Sequence, residues 1–290
     1  MTPRLATTSA RLGAIGFLAL AACPTYQVPR FASDQVLGGV TVPAATLARG
    51  AAAFMRSCRP CHGANGDGTG PQAVGMSPPP RDLRLGIVSF ASVPAGSLWR
   101  DEDVVRIVRS GLAGTGMRAW TDIPDGDLAA IVQFLKTLAP RFREEQPGEP
   151  IAASPDPWTG HEGDGAARGR VVYHGLGRCQ SCHPAYATPA EVQAFARDAG
   201  VQVEPRPDPD QPLEVRSDFG RPLKATDFRA GPLRAVRPGR RGEDLYRSIA
   251  AGLGGTAMPT WKGALPEADL WALVHYVDAL SRDGDRERSP

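Results

Sequence analysis

Residues 58–62 read CRPCH, and residues 179–183 read CQSCH. In a helical turn, positions i, i+3 and i+4 lie on one face. Cys58, Cys61 and His62 therefore address a single object from one side, and Cys179, Cys182 and His183 repeat the arrangement. The flanking segments repeat too. EDVVRIVRSGLAGTGMRAW (102–120) and EDLYRSIAAGLGGTAMPTW (243–261) agree at nine of nineteen positions, and the likeness runs on through PDGDLAAIVQFL (124–135) and PEADLWALVHYV (266–277). RGAAAF (49–54) leads into the first motif as RGRVVY (168–173) leads into the second. The chain is an internal duplication whose halves keep one order of parts: helix, CxxCH, long loop, helix, methionine loop, final helix.

Two thiols at this spacing can add across the two vinyl groups of a haem, and the adjacent imidazole can ligate the iron; this is the attachment motif of c-type haem. Competing chemistries fit less well. A zinc ribbon places its CxxC pairs about fifteen to twenty residues apart, whereas 117 residues lie between Cys61 and Cys179. A thioredoxin-like dithiol needs a βαβ setting and one active pair. Disulfides leave His62 and His183 without a reason. Two covalently bound haem c groups are the expected cofactors.

The second axial position separates electron transfer from catalysis. Met117 and Met258 occupy matched places in the duplicated loop, in a chain with only five methionines. A thioether is a soft ligand that favours ferrous iron, so the expected metal ligands are His62 with Met117 and His183 with Met258. Met76, in GMSPPPRDL, competes for the first site.

Apart from residues 1–22, which hold Arg4, Arg11 and no acid, the chain has 31 basic and 31 acidic residues. That balance, without a basic patch or a long glycine phosphate loop, argues against nucleic acid as a partner. Three lysines against thirty arginines mean that any docking ring is built from arginine. Residues 1–23 combine a basic start, a short apolar run and the box Leu20-Ala21-Ala22-Cys23, as in an exported protein acylated at Cys23. The expected division is a signal peptide (1–22), a flexible lipid-anchored tether (23–44), a first domain (45–143), a linker (144–165), a second domain (166–283) and a charged, frayed tail (284–290). The lipid anchor would hold the protein on a membrane, in the periplasm or on another extracytoplasmic face. Amphipathic spacing predicts helices near 46–57, 101–110, 125–138, 165–174, 242–251 and 266–281, with no sustained strand alternation. A Pro-rich loop at 203–222 stretches the histidine-to-methionine interval to 75 positions, against 55 in the first half.

From about 45 to 283, the chain resembles two class I cytochrome c domains in tandem. CRPCH and CQSCH, GTGMRAW and GTAMPTW, and CHGANGDGTGPQAVGMSPPPRDL (61–83) carry the resemblance. It implies an all-α architecture, with each small helical domain wrapped around its haem. It also implies that the Pro71 carbonyl receives the His62 ring N–H, while CHPAYATPAEVQ departs from the pattern and leaves Pro189 or another carbonyl for His183. The family crosses its first and last helices at a glycine, which points to Gly50 and Phe54 against Phe134, and to Gly169 and Tyr173 against Tyr276. Trp120 and Trp261 either approach a haem propionate or close the crevice. The implied function is to carry single electrons between redox protein partners, a respiratory donor and an acceptor, with no catalytic residues. A dihaem peroxidase is the enzymatic rival, although it needs one open iron and both halves supply a methionine. A fixed subunit of an oxidoreductase or oxidase complex is the other alternative.

Overall fold

The computed structural model describes residues 27–204 and 206–288, so the acylation box around Cys23 lies outside the described residues. The chain is mostly helical and forms two lobes, each with its own apolar core.

The first lobe opens with a hairpin, β1 (Gln35–Leu37) and β2 (Val40–Val42), paired antiparallel with Leu37 opposite Val40. Its two-residue turn is Gly38-Gly39, both at positive φ, as a tight hairpin requires. Leu37 is fully buried, and Phe31 meets Phe134 edge-on at 6.3 Å. The segment expected to be a flexible tether is thus packed from at least Phe31 onward, because Leu37 and Val42 are buried in the first core and Phe31 packs against it. Helix α1 (Ala44–Ser57) follows Pro43, with the Asp34 carboxylate accepting the Ala44 N–H. Leu47, Gly50, Ala51 and Phe54 form its buried face. The short α2 (Arg59–His62) carries the first motif, and α3 (Asp101–Ser110) and α4 (Asp125–Leu138) complete the lobe.

In the second lobe, α5 (Glu162–His174) precedes the CQSCH turn. Helix α6 (Pro189–Asp198) was not expected, although Thr188 and Glu191 form a reciprocal capping box around Pro189. The Pro-rich insertion folds into a second hairpin, β3 (Glu214–Arg216) and β4 (Pro222–Lys224). Helices α7 (Arg241–Ala251) and α8 (Glu267–Arg288) finish the lobe. Helix α8 runs into the stretch read as a frayed tail, and Gly284 lies so close to Arg229 that an added Cβ would stand 2.2 Å from its carbonyl oxygen.

The helix crossings are nearly superimposable in kind. A Cβ on Gly50 would lie 2.0 Å from the Ala130 carbonyl oxygen, and one on Gly169 would lie 2.0 Å from that of Ala272. One turn along, Phe54 meets Phe134 at 5.2 Å and Tyr173 meets Tyr276 at 5.3 Å. Only glycine permits this backbone-to-backbone approach of α1 with α4 and of α5 with α8.

The connection between the lobes is pinned rather than loose. Gly148 N–H donates to Leu98 O, Ile151 N–H to Ser92 O, and the Trp158 and Trp271 indoles donate to Ala268 O and Ser154 O. The lobes also touch directly. Ser89 Oγ donates to Gly254 O at 3.0 Å, and Ala95 N–H is shared between Ala251 O and Thr260 Oγ1. Among the described residues, no helix is long and apolar enough to cross a membrane.

Candidate haem-binding sites

Backbone hydrogen bonds hold both attachment motifs as single turns. His62 N–H donates to Cys58 O at 2.9 Å, and His183 N–H to Cys179 O at 2.9 Å. All four cysteines of the motifs are free thiols. Burial raises the pKa of Cys58 and of Cys179 to about 12, and a neighbouring cysteine, Cys61 or Cys182, pushes the same way. Among the described residues, no three His, Cys, Asp or Glu side chains converge as a chelating set.

The histidines are prepared as neutral donors. His62 Nδ1 lies 3.1 Å from the Arg81 carbonyl, and His183 Nδ1 lies 2.8 Å from that of Thr226. A carbonyl can only accept, so the proton sits on Nδ1 and the Nε2 lone pair is left for a metal. Burial lowers both pKa values, against the raising effect of those carbonyls. Pro71 is therefore not the partner of His62. It begins a 3-10 turn beside the cysteines, where Gly70 N–H reaches Cys61 O, and the chain returns to the ring only at Arg81. In the second lobe Pro189 starts α6, and Thr226 takes the role left open. Phe228 stacks on the His183 ring at 4.8 Å and 20°, three residues before Gly231.

The methionine loops are copies in geometry. Gly111 and Gly252 end α3 and α7 at positive φ, and a Cβ on either would strike the returning strand of the loop at 2.6 Å or less. Leu112 N–H bonds Met117 O, and Leu253 N–H bonds Met258 O. The Met117 and Met258 amides each donate to a threonine hydroxyl, Thr115 or Thr256, at 3.1 Å. Trp120 and Trp261 follow, their amides bonded to Val108 O and Ala250 O.

One cavity of about 1400 Å³ joins these parts. In the first lobe it is lined by Cys58, Cys61, His62, Met117 and Trp120, and in the second by Cys179, Cys182, His183, Met258 and Trp261. Its volume exceeds the roughly 300 to 1,000 Å³ of an ordinary single-ligand pocket. Thiol pair, neutral imidazole, thioether and apolar walls match the needs of a thioether-linked haem. Met76 also lines the cavity, its sulfur against Gly116 beside Met117. His174 does not; fully buried, it packs on Phe195 at 5.2 Å. His275 bonds Asp156 at 2.9 Å, also away from the cavity, and His161 sits at the start of α5.

Two contributors carry no motif signal. Arg206, in the inserted loop, donates to the carbonyls of Gln180 and His183, bracing the CQSCH turn. Arg81 turns its guanidinium toward the second lobe, where it lies 3.6 Å over the Phe219 ring. Burial lowers the Arg81 pKa to about 10, with Arg234 adding to the effect, so it remains a cation at neutral pH.

Fold and site together define a c-type cytochrome. The family described as "Cytochrome C oxidase, cbb3-type, subunit III" matches the chain in two segments, residues 45–135 and 164–277, and the chain belongs to it. Membership implies covalently bound haem c and haem-based electron transfer. A chain of the Kuenenia stuttgartiensis reducing HAO-like protein complex Kustc0457/Kustc0458 is 28% identical, with a TM-score of 0.62, and the match covers 80% of this chain and 95% of that one. No curated protein matches the chain.

Proposed function

We propose that this is a dihaem cytochrome c that passes single electrons between redox protein partners, with His62 and Met117 on one iron and His183 and Met258 on the other. The observation that carries the reading is the duplicated constellation along one apolar cavity, a CxxCH turn and a threonine-braced methionine loop in each lobe. Bound haem supplies an iron that changes valence by one electron. The protein's part is to fix the imidazoles through Arg81 O and Thr226 O, to present the thioethers from rigid loops, and to exclude water. Trp120 and Trp261 close the cavity or meet the propionates. No catalytic residue is assigned. The functional units run from about 45 to 143 and from 166 to 283, with 144–165 joining them. The protein sits outside the cytoplasm, tethered to a membrane by an acylated Cys23.

A pyridine haemochrome assay tests the core of this reading: two haems per chain are expected, and none would end it. Met117→His and Met258→His should each lower the potential of one centre and remove its thioether-to-ferric charge-transfer band. Carbon monoxide binding to one reduced centre of the native protein would instead favour a peroxidase-like enzyme. Loss of membrane partitioning in Cys23→Ser tests the anchor. The match to the chain of the Kuenenia stuttgartiensis complex spans nearly the whole of that chain, which favours a second reading, a fixed electron-transfer subunit of a larger assembly. Stable co-purification after detergent extraction would identify it, whereas a free carrier emerges alone.

A further inference from the structure

The extra loop of the second lobe does more than lengthen it. Its hairpin turn carries Phe219, whose ring rests on Gly255 so closely that an added Cβ there would lie 2.0 Å from the ring. Asp218 N–H bonds Gly255 O, fixing the turn to the methionine loop three residues before Met258. The face of the ring receives the Arg81 guanidinium of the first lobe at 3.6 Å. Arg81 reaches the same loop by a second route, since its Nη2 donates to Ser89 Oγ, which donates to Gly254 O, each at 3.0 Å. The carbonyl of this same residue holds His62 Nδ1. One residue therefore contacts the histidine of one centre with its backbone and, through Phe219 and Ser89, bears on the methionine loop of the other with its side chain. Among the described residues, no carboxylate lies within salt-bridge distance of Arg81, and the corresponding position in the second lobe is Thr226, which carries no charge.

We propose that Arg81 and Phe219 form an interdomain clasp, through which a single half-buried cation acts on both haem centres and ties their ligand loops together. The inference rests on the dihaem reading above. Reduction adds one electron to an iron, and a nearby cation stabilises that electron. At a half-buried position the effect is screened less than at the open surface. The Phe219 ring face holds the guanidinium there, as a π system holds a cation. The insertion thus supplies the half of the clasp that the first lobe lacks.

The test uses the mature protein with both haems attached, confirmed at two per chain, and a redox titration that resolves the centres by their spectra. Arg81→Gln keeps the backbone carbonyl on His62 and removes the charge; both midpoint potentials should fall. Phe219→Leu keeps an apolar side chain but removes the ring face, and should lower both potentials in the same direction by a smaller amount. Arg81→Lys should retain most of the wild-type values. A shift in Arg81→Gln confined to the centre at His62, or a Phe219→Leu protein whose His62 centre is unmoved, would overturn the proposal. Wild-type protein without two haems would instead overturn the reading on which it rests.

Discussion

The two lobes brace the same turn with different chemistry. In the first, backbone amides do it: Gly68 N–H reaches His62 O at 2.9 Å and Gly70 N–H reaches Cys61 O at 3.1 Å. In the second, the Leu213 amide reaches Cys182 O at 2.7 Å, and the Arg206 guanidinium covers His183 O, Gln180 O, Pro209 O and Gln211 O. Carbonyls that close a half-buried turn need donors from somewhere. A glycine loop supplies them by close approach: a Cβ on Gly70 would stand 2.4 Å from Pro60 O, and one on Gly68 would stand 2.6 Å from Pro80 O. Without those glycines, the second lobe uses a longer loop and a planar five-donor side chain. The requirement is geometric, and the sequence that meets it is free to differ.

The strongest way to separate the lobes is to delete one attachment site at a time. Replacing Cys58 and Cys61 by alanine, or Cys179 and Cys182, should halve the haemochrome absorbance per chain in each case. The surviving signal then assigns each potential to a lobe. Loss of both haems from either double variant would show that the lobes do not mature independently.

Where the lobes agree, they should respond alike. Gly50→Ala and Gly169→Ala each drive a methyl group to 2.0 Å from a backbone oxygen, so both belong at the upper end of the cost of overpacking, about 3 kcal/mol. Thermal unfolding followed by circular dichroism should show similar losses. If one variant were tolerated, the shared crossing would matter less than its geometry implies.

Where they differ, the response should be local. Arg206→Ala removes charge-assisted donors from a half-buried turn and should cost about 1 to 2 kcal/mol, with a change of potential confined to the centre at His183. Arg206→Lys should recover little, because one ammonium cannot span carbonyls spread from Gln180 to Gln211. A haem-resolved titration in which the His62 centre moves as well would contradict this separation.

The duplicated helices, the methionine loops and the glycine crossings were legible because each leaves a local mark that recurs: Gly50 with Phe54, Gly169 with Tyr173, Gly-Thr before Met117 and Met258. The carbonyl partners of the histidines left none. Any residue, whatever its side chain, can offer a backbone carbonyl, so Arg81 and Thr226 are chosen by the path of the loop rather than by identity. The hairpins were missed because three-residue strands are too short for alternation to register. Helix α6 did carry a signal, Thr188-Pro189 followed by Glu191, in a stretch whose interest lay in its lack of the glycine pattern. Arg206 and Phe219 sit in a segment whose prolines suggested only a loop, and their roles depend on contacts far away in sequence.

The smallest contrast concerns an aspartate that the duplication retains. Asp103 and Asp244 are both fully buried near the starts of α3 and α7. Asp103 accepts the Ser92 and Arg100 amides and one guanidinium, that of Arg106. Asp244 accepts the Arg237 amide and two guanidinia, from Arg237 and Arg247. Burial alone would raise the Asp244 pKa, but those hydrogen bonds outweigh it and leave the carboxyl below its ordinary value. A depressed folded pKa means that the unfolded chain binds the proton more readily, so the stabilisation is present above about pH 4 and disappears as pH falls through the folded value. Asp244→Asn keeps an acceptor for the Arg237 amide and loses the charge, so at pH 7 it should cost about 1 to 2 kcal/mol. Denaturant unfolding at a series of pH values should show that gap holding down to about pH 5 and closing below about pH 4. A gap that persisted in acid would mean that Asp244 contributes through shape and packing, and that the two arginines add nothing to the second lobe that the first lacks.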